Sequence, residues 1–137
     1  MRSDFDPSRL LIGGQWCTAK NGATLPIEDP STGSTTGTIA CAGRDEVDSA
    51  VESAQGALQG AYGSLAAADR GRLLLNLRER VLENADFLTA LEVADVGKPT
   101  SQARADVLAL ARYLEFYAGA ADKLHGTTIP FFNDYTV

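Results

Sequence analysis

The sequence predicts an α+β chain: a small antiparallel β-meander, then three or four α-helices, then the start of a strand. Three observations predict it. Before Arg44, short β-favouring runs alternate with turn residues. After Arg44 the apolar period changes from that of a strand to that of a helix. At the end, Tyr135, Thr136 and Val137 form a β-favouring run with no turn after it.

The strand runs are Leu10-Leu11-Ile12, Gln15-Trp16-Cys17-Thr18, Ala23 to Ile27 and Thr35 to Cys41. Between them stand Gly13-Gly14, Asn21-Gly22 and Asp29-Pro30-Ser31-Thr32-Gly33. Gly-Gly and Asn-Gly supply the positive φ angles of two-residue hairpin turns, and Pro30 presets the next turn. The spacing therefore predicts strands that pair with their neighbours in order.

From Asp45, Val47, Ala50, Val51, Ala54, Ala57 and Leu58 fall on one helical face, with Asp48, Glu52 and Gln55 opposite. So small a face suits close packing on a sheet or a second helix. Gly60, Gly63 and Ser64 make the connection to a helical region from about Ala67 to Val96. Leu74, Leu77, Val81, Leu88 and Leu91 mark its apolar side. Asn84 offers a break or a fresh N-cap, so one helix and two are both open. Gly97 suits a left-handed helix end, and Pro99 cannot easily continue the helix. A last helix follows from about Ser101 to Leu124, on a seam of Ala103, Val107, Leu110, Leu114, Tyr117 and Ala121. His125 to Pro130 reads as a loop.

The 137 residues carry 12 Lys and Arg against 18 Asp and Glu, a net charge of −6. No stretch gathers the basic residues that phosphate contacts require, so nucleic acid is not an expected partner. No apolar run reaches the 18 residues of a membrane span, and charge interrupts the first seven residues, so the expected compartment is the cytosol with no membrane association. Cys17 and Cys41 lack metal-site or disulfide-scaffold spacing and read as small buried hydrophobes. His125, the single histidine, cannot build a two-histidine zinc site.

Few residues are placed to do chemistry. Gly97-Lys98-Pro99-Thr100 lacks the upstream glycine and the Ser/Thr of a phosphate loop, since Glu92 and Pro99 occupy those positions. GxGxxG and GxSxG are absent from the sequence. Glu92 and Asp95, three apart on one helical face, are placed to share a cation or proton, or else to be solvated or to cap backbone. Tyr113, Phe116 and Tyr117 read as core aromatics, with a pocket wall as the alternative.

Several runs together resemble the start of the NAD(P)-dependent aldehyde dehydrogenase superfamily. They are LIGGQW from Leu11 to Trp16, DPSTG from Asp29 to Gly33, and DEVDSAV from Asp45 to Val51. DRGR follows from Asp69 to Arg72, LEVADVGKP from Leu91 to Pro99, and YAGAADKLHG from Tyr117 to Gly126. Their order and spacing carry the resemblance across residues 10–137. Tyr62 and Ala120 stand where the family usually has Trp, and Ala66-Ala67 replaces a Ser-Pro helix start, removing a cap worth about 1 kcal/mol.

The resemblance implies an α/β parent fold of which this chain is the N-terminal portion. It divides the chain into a tail (1–9), the β-meander (10–43), the helical part of a cofactor-binding domain (44–126), and a loop leading into an oligomerisation strand (127–137). The implied activity is oxidation of an aldehyde to a carboxylic acid with NAD or NADP, through a cysteine thiohemiacetal and a thioester. The family's nucleophilic Cys, general-base Glu and cofactor-contacting turn fall later than this sequence reaches. No residue here is therefore assigned as catalytic or cofactor-binding, Cys17 and Cys41 included, and the isolated chain is expected to be inactive. The implied partners are an aldehyde, the remainder of the chain, and further subunits of a homodimer or homotetramer. The resemblance further implies that Asp95 and the carbonyl of Ile27 help to hold a monovalent cation, with a third ligand from beyond this chain; the other reading of Asp95 is capping or hydrogen bonding. A stand-alone binding or assembly module derived from the same fold is the alternative function.

Overall fold

The computed structural model describes residues 6–127, 130–132 and 135–136. The expected strand at Val137 lies outside them. The elements run β1 (Leu10–Ile12), β2 (Gln15–Cys17), β3 (Thr24–Glu28), β4 (Thr35–Ala40), α1 (Arg44–Gln59), α2 (Ala67–Glu83), α3 (Ala85–Val96), α4 (Thr100–Ala120), β5 (Pro130–Phe132) and β6 (Tyr135–Thr136). No helix among the described residues is long and apolar enough to cross a membrane.

The strands form three separate antiparallel pairs, β1 with β2, β3 with β4, and β5 with β6. Gly13 and Gly14 both take positive φ, 59° and 76°, and close the β1–β2 hairpin as expected. At Asn21-Gly22 only the glycine has positive φ. That loop closes through Gly22 N–H to the Ala19 carbonyl at 2.9 Å, and β2 and β3 part after it instead of pairing. The expected meander is thus two hairpins. Pro130 opens β5 where a loop was expected, the first position of a strand being one that tolerates a missing N–H.

Asn84 divides the second helical region in two. Its side-chain amide donates to the Arg80 carbonyl at 2.6 Å, satisfying the end of α2, and makes no side-chain cap on α3. Gly97 ends α3 at φ 72°, and a Cβ there would stand 2.8 Å from Pro30 Cγ. Both its backbone angle and its contact with the β3–β4 turn therefore require glycine.

The core lies where α2 and α3 meet α4: Val81, Ala85, Val107 and Ala111 are buried, with Leu82, Leu88 and Leu114 against them. The buried line of α4 is Ala103, Val107, Ala111 and Ala118, rotated from the expected seam. Tyr117 consequently points outward, and Leu110 is left half-exposed. Alanines let α2 approach so closely that a Cβ on Gly71 would lie 2.7 Å from the Ala118 carbonyl oxygen. The α1 stripe expected to pack is also uncovered, Val47, Val51 and Leu58 being at least half exposed.

Candidate functional site

A cleft of about 530 Å³ opens between the β3–β4 hairpin and helices α3 and α4. Ile27 and Ile39 line it from the hairpin, Val107 and Leu110 from α4. Helix α3 contributes Leu88, Leu91, Glu92 and Asp95, which at spacings of three, one and three occupy one helical face. The fold thus brings together Ile27 and Asp95, the residues the resemblance singles out, which lie far apart in sequence.

The two carboxylates do different things. Lys98, just past the α3 end, donates its Nζ to Glu92 Oε1 at 2.5 Å and to Asp106 Oδ2 at 3.0 Å. Gln102 Nε2 also donates to Asp106, at 3.0 Å. The bond to Glu92, then that to Asp106, raises the Lys98 pKa, and the same lysine lowers that of Asp106. Glu92 is therefore neutralised by a clamp that ties α3 to α4. Asp95 is exposed and, among the described residues, accepts no hydrogen bond or ion pair through its carboxylate.

The ladder register slips between Ile27 and Glu28, so that Thr36 bulges from β4. Thr36 Oγ1 donates to the Ile27 carbonyl at 3.3 Å. The sequence offered no sign of this contact. It also concealed the role of Glu46, a buried carboxylate that accepts the Lys20 and Gly43 backbone N–H groups, each at 2.9 Å. Those bonds, Lys20 first, hold its pKa below the usual glutamate value. The signal was present in the spacing of Gly43 and Glu46, that of an N-cap and the third helical residue.

The other candidates do not converge. Cys17 and Cys41 are half-buried, on β2 and just after β4, with Cys17 Sγ donating to the Leu10 carbonyl at 3.6 Å. His125 is exposed after α4, and no group of three or more His, Cys, Asp and Glu among the described residues could hold a metal. Tyr113, Phe116 and Tyr117 are exposed rather than core, because α4 packs through its alanine line instead, and with Arg112 they line an open hollow of about 320 Å³, the alternative reading. Phe116 and Tyr117 meet edge to face at 5.3 Å.

A model of the aldehyde dehydrogenase family matches residues 16–137. The chain belongs to the aldehyde dehydrogenase family. It is 37% identical over 131 residues to the mitochondrial aldehyde dehydrogenase of Rattus norvegicus, covering 93% of this chain and 25% of the relative. It is 35% identical to the glutarate-semialdehyde dehydrogenase of Pseudomonas putida, covering 89% and 25%. Among solved structures, a candidate aldehyde dehydrogenase from Burkholderia cenocepacia superposes with a TM-score of 0.85 at 48% identity, covering 92% of this chain and 27% of that one. PnpE, solved with nicotinamide adenine dinucleotide, superposes at 0.84 and 36% identity, covering 93% and 26%. This aldehyde dehydrogenase chain therefore spans about a quarter of the length of the relatives it matches. Its short antiparallel strands and four helices are the N-terminal part of the aldehyde dehydrogenase fold.

Proposed function

We propose that this chain is the N-terminal segment of an enzyme that oxidises an aldehyde to a carboxylic acid with NAD or NADP through a cysteine-bound thiohemiacetal and thioester. The observation that supports this reading is the likeness of fold and sequence to the Burkholderia cenocepacia protein across 92% of this chain. The residues present do not fit a nicotinamide cofactor. Among the described residues the strands pair only antiparallel, and the connection from β4 to α1 is not the glycine-rich strand-to-helix turn that cradles a pyrophosphate. The segment's part is structural, and cofactor, nucleophile and base belong to the rest of the enzyme.

Within that role, the cleft supports a cation reading. The Asp95 carboxylate and the Ile27 carbonyl give a hard monovalent ion two oxygen ligands, with a further ligand from beyond this chain. Glu92 is not available to it, being held by Lys98. The enzyme is proposed to work as a homodimer or homotetramer, with residues 127–137 leading into the oligomerisation strand. Incubating the purified 137-residue chain with short and aromatic aldehydes and either dinucleotide should give no reduction of the dinucleotide. Turnover by chain shown pure by intact mass would refute the assignment of all catalytic groups elsewhere.

A further inference from the structure

Lys98 stands in the short connection between α3 and α4, one residue after the left-handed turn at Gly97 and one before Pro99, and from there it reaches both helices. Its Nζ donates back six residues to Glu92 and forward eight to Asp106. The lysine side chain is only 23% exposed, so solvent and salt screen these contacts less than they would a surface pair. Glu92 precedes Asp95 by three residues, which sets the two carboxylates side by side on the helical face that lines the cleft with Ile27. Asp106, which shares the lysine, sits on α4 and has a second donor in Gln102. The cleft therefore holds two neighbouring carboxylates in different states. Glu92 is bound by an ammonium, while Asp95, among the described residues, has no such partner.

We propose that Lys98 decides which class of cation the cleft accepts: by holding Glu92 it leaves Asp95 as the one carboxylate free to bind, so the cleft takes a monovalent ion and rejects a divalent one. The inference rests on the cation reading given above. Two carboxylates one helical turn apart are within reach of a single ion, and with a carbonyl beside them they form the start of an oxygen set that a calcium-type ion favours. Affinity in such sites rises with the number of charged ligands. For a divalent ion to recruit Glu92 it has to displace the ammonium, and the two positive charges then stand close together in a partly buried cleft. A monovalent ion balances Asp95 alone and leaves the clamp in place. Lys98 is thus a positioning residue, which touches no ion and acts through Glu92.

The test uses a chimera in which residues 10–137 replace the matching segment of the Burkholderia cenocepacia relative, so that a ligand from the rest of the chain is supplied. Melting temperature is followed in titrations with potassium, sodium, calcium and magnesium chlorides at constant ionic strength, which holds screening fixed. The unsubstituted chimera should be stabilised by K+ or Na+ in preference to Ca2+ or Mg2+. Lys98→Met should reverse that order, Ca2+ acting at concentrations about tenfold or more below any that stabilise the unsubstituted chimera, because Glu92 becomes a second carboxylate ligand. Lys98→Gln, which keeps an amide donor for Glu92 and removes only the charge, should do the same and serves where Lys98→Met does not fold. Glu92→Gln also breaks the ion pair but adds no ligand, so its ion preference should stay that of the unsubstituted chimera, which separates selectivity from the lost tie between α3 and α4. Combining Lys98→Met with Glu92→Gln should abolish the Ca2+ response. A Ca2+ response unaltered by Lys98→Met and Lys98→Gln, or one that survives in the double variant, overturns the inference and leaves the cation reading intact. No response to K+ or Na+ in the unsubstituted chimera, or one that Asp95→Asn leaves unchanged, overturns the cation reading itself, and the inference falls with it.

Discussion

Replacing Gly71 with Ala sets two effects of known sign against each other. Gly71 is buried in the first half of α2, where Ala would ordinarily gain about 1 kcal/mol through helix propensity and reduced unfolded-state freedom. Its missing Cβ is, however, what lets α2 touch α4. The added carbon would stand 2.7 Å from the Ala118 carbonyl oxygen and 3.6 Å from Ala121 Cβ. A carbon rests no nearer than about 3.3 Å from such an oxygen, so the helices would have to part by about 0.6 Å. The atom in the way is backbone within a helix and cannot swing aside. Overpacking of this kind costs about 1–3 kcal/mol, so the net expectation is a loss of up to about 2 kcal/mol. Gly56→Ala is the control, since a Cβ there meets nothing within 4 Å and should stabilise by about 0.5–1 kcal/mol. Urea unfolding of the two variants beside the wild-type chain gives the comparison. If Gly71→Ala stabilises the chain as much as Gly56→Ala does, the close approach of α2 to α4 is not what holds the helices together.

Three further outcomes follow from the site and its supports. The Glu46 pKa is lower folded than unfolded, so its stabilising contribution is present above the ordinary glutamate value of about 4.5 and is lost as pH falls through the lower folded value. Glu46→Gln should therefore reduce stability at neutral pH and narrow its gap from wild type in acid, and a gap independent of pH in urea titrations would contradict this. In a chimera carrying residues 10–137 in place of the matching segment of the Burkholderia cenocepacia relative, Asp95→Asn should reduce the dependence of melting temperature on K+ or Na+. About 2.7 kcal/mol is the upper guide for one site at a hundredfold excess over its dissociation constant, and identical salt responses would return Asp95 to a hydrogen-bonding role. In the same chimera, Cys17→Ser and Cys41→Ser should leave steady-state turnover largely intact, whereas lost turnover at unchanged stability would argue that one of them takes part in the chemistry.

Local rules made much of the secondary structure legible. Gly13-Gly14 closed its hairpin, Gly97 took the left-handed end of α3, and the change of period after Arg44 marked the start of α1. Sequence spacing could not decide which face of a helix would find a partner. The seam on α4 turned because alanines, not the larger Leu110 and Tyr117, let α2 come close, and α1 leaned on the loop after β2 through Glu46 and on Gly13 of the first hairpin through Ser53. The last helix stopped at Ala120 instead of Leu124, whose side chain is 94% exposed and has nothing to pack on. Asn-Gly did not pair β2 with β3, since only Gly22 took a positive φ and six residues, 18–23, separate the two strands. At the cleft, residue types pointed to Asp95 and Glu92 together. Only the fold separated them, by placing Lys98 within reach of Glu92 and Asp106 at once.

The most direct test of the segment's role is aldehyde-dependent NAD+ or NADP+ reduction by the chimera, run beside the same relative with the segment deleted. Turnover by the chimera, with none from the deleted protein, is the predicted result. A chimera that is folded and assembled yet silent would contradict the assignment of this chain as the N-terminal segment of such an enzyme.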